Sequence, residues 1–264
     1  MDKAAFSKVP AITLGFWIIK IAATTLGETG GDSVTMSWLG ETTDHPVANG
    51  YLIGTGIFAV ALVVLVGFQI AARKFRPFLY WATIIASTTA GTTLADFSDR
   101  SLGLGYSGGS AILLGCVLVT LAVWYLVEGS VSVDTVSTPR VELFYWATIT
   151  FSQTLGTALG DWMADTGGFG YLGGVEVFLG ALVVIAALYF MTKISRVLLF
   201  WMAFILTRPL GATAGDFLDK PTSDGGLAFS RPLASAIIAA FIIVCILIIP
   251  QRPGVYPAAR TTAL

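Results

Sequence analysis

Eight apolar segments follow one another along this chain and leave little sequence between them. Each is close to the roughly 20 residues that a helix needs to span the hydrocarbon core of a bilayer. Because lipid offers backbone groups no hydrogen-bond partner, such segments must be helical. The sequence therefore predicts an all-α integral membrane protein with a single transmembrane domain, residues 1–264. The predicted spans are residues 10–29, 51–70, 78–97, 106–127, 141–162, 171–191, 197–216 and 232–249.

The odd-numbered segments repeat one pattern, a tryptophan followed fifteen residues later by an aspartate. The four pairs are Trp17/Asp32, Trp81/Asp96, Trp146/Asp161 and Trp201/Asp216. A glycine stands five residues before every aspartate, and the even-numbered segments open with motifs such as GYLIGTG and GYLGGVE. Such self-similarity indicates repeat architecture. We predict a pseudo-symmetric bundle of four tandem two-helix repeats, with boundaries at about residues 8–70, 76–128, 140–192 and 196–250.

Two spans per repeat place all four aspartates on the same side of the membrane. Ten of the fifteen basic residues lie in the termini and the loops between repeats, which predicts cytoplasmic termini by the positive-inside rule. These ten are Lys3, Lys8, Arg73, Lys74, Arg76, Arg140, Lys193, Arg196, Arg252 and Arg260. Fifteen residues of helix rise about 22 Å, so the aspartates fall near the outer face. The tryptophans are interpreted as anchors at the cytoplasmic interface.

Acidic residues inside membrane spans are costly, and their usual explanation is functional. The alternative for the aspartates is that each only marks the end of a helix. The predicted cation-binding residues are Glu28, Asp32, Asp96, Asp161, Asp216 and Glu176, all but Glu176 as metal ligands. Carboxylate and hydroxyl oxygens suit magnesium, calcium or manganese. Zinc and copper are disfavoured because the only histidine is His45 and the two cysteines, Cys116 and Cys245, are isolated.

Two basic residues inside the odd segments, Lys20 and Arg208, are predicted counter-charges or gating residues for these carboxylates. A purely structural pairing or snorkelling to the interface is the alternative for both. Glu28 distinguishes the first copy and Arg208 the last, so an asymmetric site is expected. Glycines near the aspartates also permit local unwinding of the helices. The charges that follow the aspartates are expected in solvated loops, with an acidic outer vestibule as the functional alternative. These charges are Asp99, Arg100, Asp165, Asp219 and Lys220.

The opening KVPAITLGFWIIKIAATTLGETGGD and its three later copies resemble a family of bacterial membrane-anchored proteins built from four copies of a repeat of unknown function. The resemblance covers essentially the whole chain. It implies a multi-pass protein of the bacterial inner membrane and an association with metal homeostasis, manganese in particular. It implies no defined activity.

The function that these features favour is a secondary transporter that exports a divalent, manganese-like cation in exchange for protons. Clustered carboxylates raise one another's proton affinity, which makes such an exchange feasible. The alternatives are a membrane sensor or assembly factor without transport, and a transporter of a small organic solute. An enzyme is not expected, because no copy has the G-x-G-D motif of intramembrane aspartyl proteases. The predicted partners are the lipid bilayer, the metal cation and protons, with homo-oligomerisation left open; neither nucleic acid nor a resident cofactor is expected.

Overall fold

The computed structural model describes residues 6–42 and 49–255, so Lys3, His45 and Arg260 lie outside the described chain. The described chain contains eight long helices in the predicted order. They are α1 (Leu14–Asp32), α2 (Gly50–Ala71), α3 (Pro77–Asp96), α4 (Gly105–Glu128), α5 (Pro139–Asp161), α6 (Gly170–Met191), α7 (Arg196–Asp219) and α8 (Arg231–Ile248). Proline begins α3 and α5, where its missing N–H costs no helical hydrogen bond.

Five of these helices are long and apolar enough to cross a membrane, namely α2, α4, α6, α7 and α8. The even-numbered helices leave most of their apolar residues exposed on the outside of the bundle. Large exposed apolar surfaces of this kind fit a lipid environment. The helices α1, α3 and α5 carry many threonines and charges on their buried sides, which lowers their hydropathy. Eight membrane spans therefore remain a prediction, whereas a membrane protein is clearly indicated.

The odd-numbered helices form an inner ring in which α1 packs on α3, α3 on α5, α5 on α7 and α7 on α1. The even-numbered helices lie outside this ring, where α2 packs on α3, α4 on α5, α6 on α7 and α8 on α1. Each even helix therefore packs mainly on the first helix of the following repeat, and the last one returns to the first. The arrangement is the predicted pseudo-symmetric bundle of four repeats, closed into a ring.

Aromatic side chains join the beginnings of the four inner helices at one end of the ring, here called the aromatic end. Ring centroids across neighbouring helices are 5.5–6.5 Å apart, with Phe16 and Trp81 at 5.5 Å and Trp17 and Phe200 at 5.8 Å. Trp81, Trp146 and Trp201 are buried in this cluster. Their interpretation as lipid-facing interface anchors is therefore wrong. The repeat places them on the inner side of the ring, where aromatic partners replace the bilayer.

Two short strands cover the aromatic end. Strand β1 (Phe6–Pro10) pairs antiparallel with β2 (Pro253–Val255), which brings the two ends of the described chain together. The Ser7 hydroxyl donates to the carbonyl of Val133 at 2.7 Å, and the Lys8 ammonium lies 2.5 Å from the Glu142 carboxylate. The indole N–H of Trp81 donates to Gln251. These contacts close the aromatic end against the inner helices.

The four repeat glycines allow the inner helices to approach one another closely. A Cβ at Gly27 would overlap Thr88 of α3, and a Cβ at Gly156 would overlap Arg208 of α7. A Cβ at Gly211 would overlap Thr24 of α1 in the same way. Small residues at helix interfaces permit this kind of approach between membrane helices. The repeated glycine is therefore the local reason that the ring can form.

Replacing Gly91 in α3 by alanine is expected to destabilise the bundle. The added Cβ would lie 2.9 Å from the backbone of Gln153 and Thr154, and overpacking of this kind costs about 1–3 kcal/mol. Gly115 in α4 has open space around it, so Gly115→Ala is a matched control that gains helix propensity. The melting temperature of the purified protein in detergent should fall for Gly91→Ala and hold or rise for Gly115→Ala. Equal melting temperatures for the two variants would contradict the close packing.

Candidate functional site

Every fourth residue of each inner helix is buried inside the ring, and together these residues form an axial column. Residues four apart lie on the same face of a helix, so the repeat aligns them in layers. From the aromatic end, the layers are Phe16, Tyr80, Tyr145 and Phe200; Lys20, Ile84, Ile149 and Phe204; Thr24, Thr88, Gln153 and Arg208; Glu28, Thr92, Thr157 and Ala212; Asp32, Asp96, Asp161 and Asp216. The column is apolar or aromatic at one end and acidic at the other.

The four repeat aspartates lie at the acidic end, where two cations divide them into pairs. The Lys220 ammonium is 2.7 Å from Oδ2 of Asp32 and 3.1 Å from Oδ1 of Asp216. The helices that carry these two aspartates are neighbours because α7 closes the ring onto α1. Arg231 lies farther from Asp32, at 3.9 Å. Lys220 therefore bridges the last copy to the first.

Arg100 bridges the other two aspartates. Its Nε is 3.3 Å from Oδ1 of Asp96, and its Nη2 is 3.4 Å from Oδ2 of Asp161. The guanidinium also donates to the hydroxyl of Tyr51 at 3.3 Å. The expectation that the charges after the aspartates lie in solvated loops is thus wrong for Arg100 and for Lys220, which is buried.

Two other members of that group, Asp99 and Asp219, are also buried, and only Asp165 is exposed. The reason is that the chain does not leave the bundle at the aspartate. In the first three copies the α-helix continues directly into a π-helical turn, at Ser33–Trp38, Phe97–Ser101 and Trp162–Thr166, and in the fourth α7 runs on to Asp219. Wider turns of this kind often occur at functional sites. The inner helices remain α-helical through the glycines, so no unwinding occurs before the aspartates.

Arg208 reaches one layer toward the acidic end and contacts the other three inner helices. Its Nη2 is 2.9 Å from Oε2 of Glu28, and it donates to the hydroxyls of Thr92 and Thr157, each at 2.5 Å. All four side chains are almost fully buried. The structure thus places Arg208 as the counter-charge of Glu28. A buried ion pair needs such additional hydrogen bonds to offset the cost of removing both charges from water.

The structure does not bring the other two predicted polar residues to the carboxylates. The buried Lys20 ammonium is 3.4 Å from Oε1 of Gln153 and lies 4.2 Å from the centroid of the Phe204 ring. It is thus held by an amide oxygen and an aromatic face, a cation–π arrangement. Glu176 is exposed on α6, on the outside of the bundle rather than in the axial column.

Three carboxylates converge closely enough to share a metal ion. Glu28, Asp32 and Asp216 each offer an oxygen, and these oxygens lie within 4.8 Å of one another. All three side chains are buried. Two of these carboxylates are one helical turn apart on α1, and the third comes from α7 across the ring closure. Among the described residues, Asp96 and Asp161 do not join this group, although the sequence predicts all five as ligands.

The sequence did not lead us to expect Lys220 and Arg100 as partners of the repeat aspartates. A signal was present, because each stands four residues after a repeat aspartate. An acidic residue followed by a basic one at this spacing forms an ion pair along a helix. The connection to a second aspartate, from the neighbouring copy, depends on the cyclic order of the inner helices, which the sequence does not display.

These features define a membrane-type helical bundle made of four copies of one two-helix unit around a buried carboxylate cluster. The family model described as Repeat of Unknown Function (DUF347) matches residues 15–75, 79–130, 144–195 and 199–250. The chain belongs to this family, and the four matches agree with the four predicted repeats. No curated protein and no solved structure matches the chain.

The coupling between Glu28 and Arg208 is measurable with substitutions taken from the other repeats. Glu28→Thr and Arg208→Thr each introduce the residue of the second copy, Thr92 or Thr88. Each single change leaves one buried charge without its partner, which costs about 3–5 kcal/mol. The double variant removes both charges and should lose clearly less stability than the sum of the two losses. Unfolding in detergent gives the three values, and simple additivity would contradict a direct buried pair.

Proposed function

We propose that this protein is a secondary transporter that exports a divalent, manganese-like cation in exchange for protons, and that it is not an enzyme. The observation that carries the proposal is the convergence of Glu28, Asp32 and Asp216 inside a membrane-type bundle. Hard divalent cations prefer carboxylate oxygens, often with retained waters. A buried carboxylate binds either a cation or a proton, so one site serves both halves of an exchange cycle.

The axial column supports transport rather than a static metal site. Charged and polar layers continue from the aspartates to Lys20, which is about 18 Å of helix rise below Asp32. The side chains of Lys20 and Arg208 lie between the carboxylates and the aromatic end. In this closed state the site is therefore reached from the acidic end, and passage of a cation requires rearrangement of the deeper layers. A protein that only sensed a metal would not need polar groups through so much of its depth.

The proposal includes a location and an orientation. All eight helices cross the inner membrane of a bacterial cell, with both termini and the aromatic end in the cytoplasm and the acidic end outside. Two observations support it. Basic residues concentrate at the aromatic end, including Lys8 and Arg140, and the outer helices present apolar surfaces.

The decisive experiment uses purified protein in liposomes that enclose a manganese-sensitive dye, with a pH gradient imposed in either direction. Wild-type protein should move manganese, and reversal of the pH gradient should reverse the direction. Asp32→Asn removes one charge from the ligand group and should abolish the flux, because its oxygen is lost as an anionic ligand. Asp165→Asn removes an exposed aspartate outside the group and should leave the flux within about twofold, since exposed charges are well screened.

Two results would count against this proposal. Undiminished flux with Asp32→Asn would show that the site is placed wrongly. Failure of the wild-type protein to move manganese under either gradient would reject metal transport, and would leave the sensor and organic-solute alternatives.

A further inference from the structure

Two of the three proposed metal ligands already contact a positive charge of the protein itself. The Lys220 ammonium lies 2.7 Å from Oδ2 of Asp32 and 3.1 Å from Oδ1 of Asp216. Both aspartates belong to the three-carboxylate group, whose oxygens lie within 4.8 Å of one another. A metal ion that is bound by all three carboxylates therefore competes with the ammonium for two of them, Asp32 and Asp216.

The position of Lys220 is unusual among the four repeats. Four residues after the aspartate, the copies carry Met36, Arg100, Asp165 and Lys220 in turn. Lys220 directly follows the last residue of α7, and its ammonium is also 3.7 Å from the sulfur of Met36. A lysine carries a compact charge on a flexible four-carbon stem, whereas arginine presents a rigid planar fork. Of the two cations at this position, the flexible Lys220 rather than Arg100 therefore lies next to the metal-binding group.

We infer that Lys220 is a tethered competitor of the substrate cation, which bridges Asp32 and Asp216 when the site is empty and is displaced when a divalent cation binds. This inference rests on the proposed function and names the residue that sets affinity and selectivity at its site. No contact between the ammonium and the metal is required. The ammonium and the metal alternate on the same two carboxylates.

The balance of charge explains why a divalent cation is favoured. With Glu28, Asp32 and Asp216 ionised, the two counter-cations Arg208 and Lys220 leave the group with one negative charge. Exchange of the ammonium for a divalent cation makes the group neutral, whereas exchange for a monovalent cation leaves it negative. Uncompensated charge is costly in a buried site. Lys220 therefore selects against sodium and potassium, which gain nothing over the ammonium that they displace.

Arg100 provides the internal comparison. It bridges Asp96 and Asp161 in the same layer, but neither aspartate belongs to the three-carboxylate group. Its guanidinium makes two carboxylate contacts and a further hydrogen bond to Tyr51. Removal of Arg100 changes the charge of the acidic end as much as removal of Lys220 does. It does not free any of the three ligands.

The test is calorimetric titration of the full-length protein in detergent with manganese chloride, in parallel for the wild type, Lys220→Met, Lys220→Arg and Arg100→Met. Methionine is the residue of the first copy at this position. Removal of the competitor should tighten manganese binding about tenfold or more in Lys220→Met, a shift of about 1.4 kcal/mol. Potassium should then compete with manganese more effectively than in the wild type. Lys220→Arg retains the positive charge on a planar guanidinium that can pair with both carboxylates at once. It should therefore be harder to displace and should weaken manganese binding.

Arg100→Met controls for general electrostatics and should tighten manganese binding clearly less than Lys220→Met does, since the aspartates that Arg100 contacts lie outside the ligand group. Equal tightening in Arg100→Met and Lys220→Met would overturn the inference, because charge alone would then explain the effect. Loss of manganese binding in Lys220→Met, with the melting temperature retained, would also overturn it by making Lys220 a necessary part of the site. If the wild type binds manganese and Lys220→Met binds it with the same affinity, Lys220 is not a competitor, but the metal site stands. Absence of binding in every protein rejects both.

Discussion

The inner ring depends on one buried guanidinium that contacts its other three helices. Arg208 extends from α7 to Glu28 on α1, to Thr92 on α3 and to Thr157 on α5. Isolated in the interior, this charge would cost several kcal/mol, and its contacts are available only when all four helices are assembled. The same arrangement is possible because Gly156 leaves room for the Arg208 stem. The close approach of α5 and α7 at Gly156 and the ion pair between Arg208 and Glu28 therefore depend on each other.

Divergence among the repeats, rather than their similarity, makes the centre chemically specific. The features that all four copies share would place four aspartates at one end with no internal cation. Arg100 and Lys220 appear at equivalent positions of the second and fourth copies, and each joins its own aspartate to that of the next copy. The pseudo-four-fold ring therefore has pseudo-two-fold symmetry at the level of the aspartates. Glu28 reduces the symmetry further, because it adds a third carboxylate to only one of the two pairs.

Much of the fold was predictable from the sequence, because long apolar segments and a repeated pattern depend on local residues. The number and order of the helices and the family agree with those predictions. The tryptophans were misinterpreted because an aromatic residue at the end of a span suits either a lipid interface or an aromatic cluster. Whether the tryptophans face lipid or pack inside the ring depends on the tertiary arrangement of the helices, which the local sequence does not indicate.

The candidate site was predictable in part. The aspartates, Glu28 and Arg208 follow from the rarity of charges in apolar segments, and the structure places all of them in the axial column. Lys220 was expected in a loop because it lies just beyond the seventh predicted span, which ends at residue 216. Its contact with Asp32 joins the last repeat to the first, and no local sequence pattern indicates that these two residues are close. Glu176 shows the opposite error, since an acidic residue in an apolar segment lies on the outer surface.

The pairing of β1 with β2, together with the packing of α8 on α1, has a consequence for how the chain is connected. The first and last described residues are strand partners, and α8 returns to the helix that begins the first repeat. The last repeat therefore packs on the first in the same way as each other repeat packs on the next one. A circularly permuted chain, opened in a loop between two repeats and joined through the present ends, would keep every inner-helix neighbour. In such a bundle, the position of the chain ends does not determine where the carboxylate cluster lies.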